Sequence, residues 1–284
     1  MRFGVREICN VVFKAVDTRK IGTKLFHKHE PVIYFDSLKT STMEQATTTV
    51  YAQGGRGNTR LVAWEGEKTL TFTMEDALIS EMGLAILAGA NLYEAKAGDT
   101  LLVHVTETTN SGTVSKVPAS GEGLGVKFYA LELNENGDVT GAPIEVTISA
   151  EKKVTGVEAD KVYLIDYYTE KASGAYQIDI EPQSFGGNFY IEADTLFRDT
   201  NGTDHAAQFV IPNGKIQSNF TLSMASSGDP STFTFTVDAF PGYVNGDVTK
   251  KVLSTIQVIE SEEEDIVIPD VAGDKEDSKW VEEA

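Results

Sequence analysis

Alternation of apolar and polar residues runs through most of the chain and predicts a protein built mainly of β-strands. The clearest case is residues 47–73, where two alternating runs flank the glycine-rich stretch QGGRGN, which favours a chain reversal. In strict alternation, one face of the second run carries Val62, Trp64, Gly66, Lys68, Leu70 and Phe72, and the other carries Leu61, Ala63, Glu65, Glu67, Thr69, Thr71 and Thr73. The pattern therefore predicts a long hairpin with one largely apolar face and one Glu/Thr face.

A second long hairpin is predicted over residues 215–239. Its first run alternates from Lys215 to Met224, the turn sequence SSGDPS follows, and STFTFTVDA completes it. The apolar positions include Ile216, Phe220, Leu222, Phe233, Phe235 and Val237, and the polar positions include Lys215, Gln217, Asn219, Thr232, Thr234, Thr236 and Asp238. This hairpin also has a polar, Thr-rich face.

A single convincing helix is predicted directly after the first hairpin. Thr73 is the expected N-cap, and Glu75 and Asp76 occupy the first turn, where the helix dipole favours acids. Apolar residues follow at helical spacing, and Gly89 stands where a C-terminal glycine belongs. The helix is expected to cover one open edge of a β core.

The remaining sequence suggests a division of the chain into parts. Residues 98–173 hold four short strand candidates, LLVHVTE, VKFYALEL, PIEVTISA and KVYLIDYY. We expect them to form a β-rich insertion or subdomain between residues 1–97 and 174–259. Residues 260–284 contain eleven acids and two lysines, which is typical of a solvated tail. The alternative is an arm that packs on a neighbour through Ile266, Val267, Ile268 and Trp280.

The charge of the chain argues against one broad class of function. The chain has 43 acidic and 24 basic residues and a net charge of −19, so on average it repels nucleic acid and anionic membranes. This argues against DNA binding, but it suits a surface past which DNA slides without sticking.

Candidate chemistry is sparse, so the sequence predicts no enzyme, metal site or cofactor. Cys9 is the single cysteine, and the histidine pair His27 and His29 fits a surface turn before Pro31 better than a zinc site. The stretch from Arg198 to Asp204 is interpreted as a β-turn rather than a calcium loop. Glu65 and Glu67 have a spacing that glycosidases use, but a solvated polar face is the preferred interpretation. No uninterrupted apolar stretch predicts a transmembrane helix, and the N-terminus lacks a signal-peptide core.

Long two-faced hairpins on an acidic chain without reactive groups resemble bacteriophage tail tube (major tail) proteins. The segments that carry the resemblance are FGVREICNVVFKA with PVIYFDSLKTST, AQGGRGNTRLVAWEGEKTLTFTMEDALIS, GGNFYIEADTLFRDTNG and QFVIPNGKIQSNFTLSMASSGDPSTFTFTVDAFP. Residues 98–173 and the acidic tail are expected to lie outside it.

The resemblance implies a β-sandwich with one α-helix and two long hairpins. In that family the hairpins of six subunits join one ring-shaped inter-subunit β-barrel, and hexameric rings stack into a tube that conducts DNA during ejection. Its partners would be other copies of itself, and tape-measure, sheath, baseplate or terminator proteins. DNA would pass without specific binding, no membrane would be involved, and the virion tail would be assembled in the bacterial cytoplasm.

The same resemblance assigns candidate residues to the tube. The expected lumen-facing residues form three rows: Glu65, Glu67, Thr69, Thr71 and Thr73; Thr232, Thr234, Thr236 and Asp238; and Lys215, Gln217 and Asn219. The expected ring-to-ring contacts are the hairpin tips, with Gln53, Gly54, Gly55, Arg56, Gly57 and Asn58 in the first and Gly228 and Asp229 in the second.

Three other functions remain open from the sequence. One is another virion component, such as a capsid decoration or baseplate protein, which would share the acidic β-rich profile. Another is a carbohydrate-binding β-sandwich, which needs an exposed aromatic platform such as Tyr163, Tyr167 and Tyr168. The last is a hydrolase that uses Glu65 or Glu67.

Overall fold

The computed structural model describes residues 2–21, 24–119, 127–222, 226–227, 232–244 and 247–259. The chain divides into two compact units, a main unit of residues up to Leu92 and from Ile178 onward, and a second unit of Tyr93–Gln177. The mainly β class is confirmed. Whether residues 98–173 form an independent domain stays a prediction.

The N-terminal part of the chain supplies seven strands, the described helix and one short strand. Their bounds are β1 Phe3–Val5, β2 Asn10–Ala15, β3 Arg19–Ile21, β4 Lys24–Phe26, β5 Pro31–Phe35, β6 Leu38–Gly54, β7 Thr59–Asp76, α1 Glu81–Ala88 and β8 Asn91–Glu94. The rest supplies β9 Leu101–Thr109, β10 Phe128–Leu133, β11 Val139–Ile148, β12 Val154–Thr155, β13 Val162–Lys171, β14 Tyr176–Asp179, β15 Asn188–Asp199, β16 Asp204–Ile216, β17 Phe233–Ala239 and β18 Thr255–Ile259.

A nine-stranded antiparallel sheet forms the main unit. Its strand order is β5-β2-β15-β16-β17-β7-β6, with β1 paired to β15 and β18 paired to β16. Alternation along the strands buries one face, because every second residue points to the same side. Phe13, Phe35 and Phe235 meet on that face with ring centroids 5.3 and 4.8 Å apart, and Leu87 of α1 is buried in the same core.

The helix exists, but it begins later than predicted. Ser80, not Thr73, is its N-cap, and the Ser80 hydroxyl accepts a hydrogen bond from the Gly83 amide at 3.0 Å. Thr73, Glu75 and Asp76 belong to β7 instead, because pairing with β17 continues as far as Asp76 opposite Phe233. The predicted end is confirmed: Gly89 adopts φ 64° and closes the helix through its amide.

The second predicted hairpin is shorter than expected. β16 and β17 pair only at Gly214–Ala239, Lys215–Asp238 and Ile216–Val237. Residues 217–222 are not a strand, so the predicted run through Asn219 and Leu222 is wrong. Phe220 leaves the alternation to pack against the main core, while β17 keeps the predicted burial of Phe233, Phe235 and Val237.

A five-stranded antiparallel sheet of order β12-β11-β10-β13-β9 forms the second unit, and all four strand candidates in residues 98–173 are confirmed. Tyr163 and Tyr167 are 2% and 0% exposed and belong to its core, so they cannot form the aromatic platform of a carbohydrate-binding site. Tyr168 is half-buried and packs against His104 at 5.3 Å between ring centroids.

Two turns behave as predicted. Asp199 accepts hydrogen bonds from the Asn201 and Thr203 amides at 2.8 and 2.9 Å, which makes a tight turn between β15 and β16. His27 and His29 are exposed beside a turn after β4. No helix in the described part of the chain has the length and apolar character needed to cross a membrane.

Candidate assembly surface

The first predicted hairpin is confirmed and is longer than its sequence pattern suggested. β6 and β7 have 17 and 18 residues and pair from Leu38–Asp76 to Gly54–Thr59. We call β6 and β7 with their turn the long hairpin. Gly55, Gly57 and Asn58 adopt positive φ angles of 78°, 90° and 51° at its tip, a conformation that favours Gly and Asn and lets the chain reverse.

The part of the long hairpin nearest the sheet follows the predicted alternation. Leu70, Phe72 and Met74 of β7 are buried in the core. Thr71, Thr73 and Glu75 point to the opposite side and remain partly accessible. This half of the hairpin is therefore anchored by one apolar face and leaves a polar face open.

Three neighbouring strands extend this polar face. Thr71, Thr73 and Glu75 of β7 lie opposite Asp238, Thr236 and Thr234 of β17, while Thr42 and Glu44 of β6 lie opposite Thr73 and Thr71. Asp238 joins the strands, since it accepts hydrogen bonds from Gln217 Nε2 at 3.0 Å and from Thr71 Oγ1 at 3.4 Å. The structure thus brings Thr71, Thr73, Thr234, Thr236, Lys215, Gln217 and Asp238 to one side of the sheet. We call this side the polar face.

An extra residue in β7 interrupts the alternation farther out. Thr47 lies opposite Lys68, but Thr49 lies opposite Glu65, so two residues of β6 advance while three residues of β7 advance. This is a β-bulge at Gly66 and Glu67. Thr48 Oγ1 holds it by accepting a hydrogen bond from the Glu67 amide at 2.9 Å. A Cβ on Gly66 would lie 2.5 Å from that oxygen, so glycine leaves room for the bond.

The bulge moves the residues of β7 from Glu65 to Val62 to the other face, and a second register shift between Ala52 and Gln53 restores the earlier alternation at Arg60. Thr47 and Thr49 share a face of β6, so their opposite residues Lys68 and Glu65 also share one. Glu67 therefore points to the polar face with Thr69, and Glu65 points away from it. The prediction of one uninterrupted row from Glu65 to Thr73 is wrong, because strict alternation does not survive the extra residue. Glu65 and Glu67 therefore do not share the strand face that the hydrolase alternative had assumed.

The outer half of the long hairpin carries an apolar patch on its polar-face side. Its members, which we call the tip patch, are Val50, Ala52, Leu61, Val62 and Trp64. Val50 lies opposite Trp64, and Ala52 lies opposite Val62. Leu61 is the extra residue at the second register shift, and its Cδ1 would lie 3.5 Å from a Cβ on Gly54, which points to the same side as Ala52. Val50, Leu61, Val62 and Trp64 are 63%, 65%, 49% and 54% exposed. The sequence pattern had placed Val62 and Trp64 with Leu70 and Phe72, and the bulge reverses that placement.

The other side of the outer half is more polar. The Arg60 guanidinium lies over the Tyr51 ring at 4.1 Å from its centroid, a favourable cation–π contact. Asn58 Nδ2 donates to Gln53 Oε1 at 3.3 Å across the tip. These contacts keep the two strands together beyond the last buried residue of the main core.

The other predicted residues have mixed outcomes. Asn219 is exposed and lies outside the strands, and Thr232 directly precedes β17. Gly228, Asp229 and residues 260–284, with Ile266, Val267, Ile268 and Trp280, lie outside the described residues. No group of three or more His, Cys, Asp or Glu residues suited to a metal occurs in the described ranges. Whether any of these residues faces a lumen or a neighbouring ring stays a prediction.

Sequence reasoning missed two determinants of this surface. Thr48 and Gly66 create the bulge, and the Gly within an otherwise continuous strand was a signal for it. The tip patch was missed as a consequence, because its face depends on the bulge. Cys9, in contrast, is structural: it is 5% exposed, and burial raises the pKa of its thiol.

Comparison with known protein families gives one match, which covers most of the chain. The model of the YomU/Tube protein family matches residues 16–252. That range includes residues 98–173, so the expectation that this section lies outside the resemblance is wrong. No curated protein matches the chain.

Proposed function

Because the chain belongs to the YomU/Tube protein family, a family of phage tube-like structural proteins, we propose that its copies assemble into stacked hexameric rings forming a phage tail tube. In this proposal the long hairpins of six copies join into one closed β-barrel. The barrel encloses a lumen through which DNA passes during ejection. The protein acts as a structural component of the virion and catalyses no reaction.

The observation that carries this proposal is the unpaired edge of β6. Among the described strands, β6 pairs with β7 alone and ends the nine-stranded sheet. Its 17 residues present a long row of backbone groups that can pair with another chain. Proteins usually shorten or cover such an edge, and closure into a barrel removes it entirely. A second copy is the simplest source of the missing strand.

The charge of the polar face supports its placement toward the lumen. Glu44, Glu67, Glu75 and Asp238 lie on this face, and Lys215 lies opposite Asp238 at its margin. An excess of carboxylates repels the phosphate backbone of DNA, and the threonines keep the wall wet without offering cationic contacts. DNA would therefore move along the wall rather than bind to it.

The tip patch supports contacts between copies at the outer half of the hairpin. Large apolar side chains that are about half exposed and lie next to one another mark a protein interface. They lie beyond the bulge, farther along the hairpin than the threonines and carboxylates assigned to the lumen wall, where neither strand has a buried residue. We assign them, with the tip residues Gln53–Asn58, to contacts with neighbouring copies. Tape-measure, sheath, baseplate or terminator proteins would bind the assembled tube.

Electron microscopy of the purified full chain at increasing concentration tests the proposal. We expect rings or hollow tubes of uniform bore, with light scattering that rises steeply above a critical concentration. A discrete trimer or a closed spike would contradict the tube and favour a decoration or baseplate protein. Adding a polyethylene glycol as a crowding agent favours assembly through excluded volume, so a chain that stays monomeric at the highest concentration with the crowding agent would also contradict it.

Cysteine labelling tests the orientation of the polar face. In a Glu67→Cys variant, we expect a small maleimide to label assembled tubes, whereas a maleimide on a large polyethylene glycol is excluded by the bore. The same variant before assembly should react with both reagents. Native Cys9 provides little background because it is buried and burial raises its thiol pKa. Full labelling of tubes by the large reagent would place Glu67 on the outside.

A further inference from the structure

A cleft in the main unit is built around the side chain of Arg19 on β3. The Arg19 guanidinium lies over the Phe189 ring, with its carbon 4.8 Å from the ring centroid. On another side it lies against Gly187, where a Cβ would come within 1.8 Å of Arg19 Nη1. The aromatic ring and the glycine together hold the guanidinium in place.

Arg19 is held there with most of its hydrogen-bonding capacity unused. Its described hydrogen bond runs from Nη1 to the Asn188 carbonyl oxygen at a long 3.4 Å, although a guanidinium has five N–H donors. No carboxylate in the described ranges forms an ion pair with it. Partial burial lowers its pKa with no acidic neighbour to offset the effect. A desolvated cation in this state favours an anion.

The space beside Arg19 is large enough for such a group. The cleft has a volume of about 130 Å³, well above the roughly 10–15 Å³ that a cavity needs to hold one water. Lys20, Asn91 and Ser184 contribute to its lining. The C-terminal end of α1 also lines it and favours the Arg19 cation rather than an anion, so binding of a carboxylate depends on the guanidinium itself. A carboxylate side chain fits this volume and can accept two parallel hydrogen bonds from one guanidinium.

The surroundings of the cleft extend the positive charge. Residues 18–29 contain Arg19, Lys20, Lys24 and Lys28, and the nearest acids in the sequence are the flanking Asp17 and Glu30. The three lysines are exposed, and none belongs to an ion pair with a described residue. This basic segment stands out on a chain of net charge −19, where most cations could find an acid nearby.

We propose that the Arg19 cleft binds an aspartate or glutamate side chain of a second copy of this chain. The inference rests on the self-assembly proposed above and adds a specific contact to it. With 43 acidic residues in each copy, a neighbouring subunit brings carboxylates to almost any contact. Arginine is the residue best suited to such a contact, because its planar fork stacks on an aromatic ring and still pairs with a carboxylate.

Zero-length crosslinking identifies the bound group directly. Lys20 follows Arg19 on β3 and contributes to the lining, and its long side chain is exposed, so we expect a carbodiimide to couple its amine to a carboxylate held by Arg19. Equal amounts of ¹⁴N- and ¹⁵N-labelled full chain are assembled, crosslinked and analysed by mass spectrometry. We expect Lys20 crosslinks that join light and heavy peptides, with a yield about tenfold lower in Arg19→Gln, as loss of a charge-assisted hydrogen bond predicts.

Arg198→Gln is the matched control, because Arg198 pairs with Asp204 of its own chain at 2.6 Å. It should leave the Lys20 crosslinks unchanged. Crosslinks confined to peptides of one isotope would assign the carboxylate to the same chain and overturn the proposal. So would their absence, or an equal yield in Arg19→Gln. Electron microscopy of the same samples separates the two proposals: tubes without mixed crosslinks contradict the cleft alone, and an unassembled sample contradicts both.

Discussion

Replacement of Trp64 by serine is expected to prevent tube assembly while the isolated subunit stays folded. Trp64 is 54% exposed and lies outside both described core clusters of the main unit. Its removal should therefore change the free energy of unfolding by less than about 0.5 kcal/mol, as for other exposed positions. At an interface, a buried tryptophan typically contributes about 2 kcal/mol or more. That corresponds to about a 30-fold weaker contact, and the loss recurs at every contact in a ring.

The chain offers a closely matched pair of variants for the same test. Val62 in the tip patch and Val139 in the second unit are 49% and 52% exposed, so Val62→Ser and Val139→Ser remove the same atoms from equally accessible sites. We expect Val62→Ser to raise the critical concentration and Val139→Ser to leave it unchanged. Sedimentation and electron microscopy measure assembly, and thermal unfolding measures stability. Equal critical concentrations for the two variants would show that the tip patch is not an interface.

Replacement of Gly66 by alanine is expected to disturb the face on which the tip patch lies. The new Cβ would overlap Thr48 Oγ1 at 2.5 Å, so Thr48 must rotate and release the Glu67 amide. We expect a local loss of about 1–3 kcal/mol, typical of overpacking, measured as faster amide hydrogen exchange in residues 47–69. Assembly should weaken in parallel.

A second substitution makes this test specific. Thr48→Ala removes the oxygen that Gly66→Ala would meet, so the double variant should exchange more slowly than Gly66→Ala alone. Thr48→Ala by itself should cost about 1 kcal/mol or less, because it removes one partly exposed hydrogen bond. This non-additivity is expected only for residues in direct contact. Additive effects of the two substitutions would mean that the bulge does not depend on their contact.

The sequence predicts the fold class and the long hairpin well because both depend on a two-residue period. Glycine-rich tip residues and buried Leu70 and Phe72 are local signals, and the structure keeps them. The start of α1 could not be predicted in the same way. Thr73 with Glu75 and Asp76 resembles a helix cap, but pairing with Phe233 and its neighbours, far along the chain, extends β7 instead. Tertiary pairing here outweighs a local preference.

The candidate surface could be predicted less well from the sequence, for a related reason. Periodicity assigns faces only as long as no residue is added to a strand, and the register between Thr47 and Thr49 depends on the opposite strand. The cleft at Arg19 could not be predicted from the sequence either, because Phe189 and Gly187 approach it from a distant part of the chain. Residues in different strands meet there only after the sheet has formed.

The bulge at Gly66 shifts the two-residue alternation of β7 by one position. Inside it, even-numbered residues of β7 point to the core; outside it, the even-numbered Val62 and Trp64 point to the polar-face side. Strand length can therefore exchange the chemistry of two surfaces without any change in composition. Deleting one residue at the bulge would turn Trp64 and Val62 over and present Glu65 in their place. In such a strand, insertions and deletions of a single residue should be tolerated only when polar and apolar positions beyond them are exchanged as well.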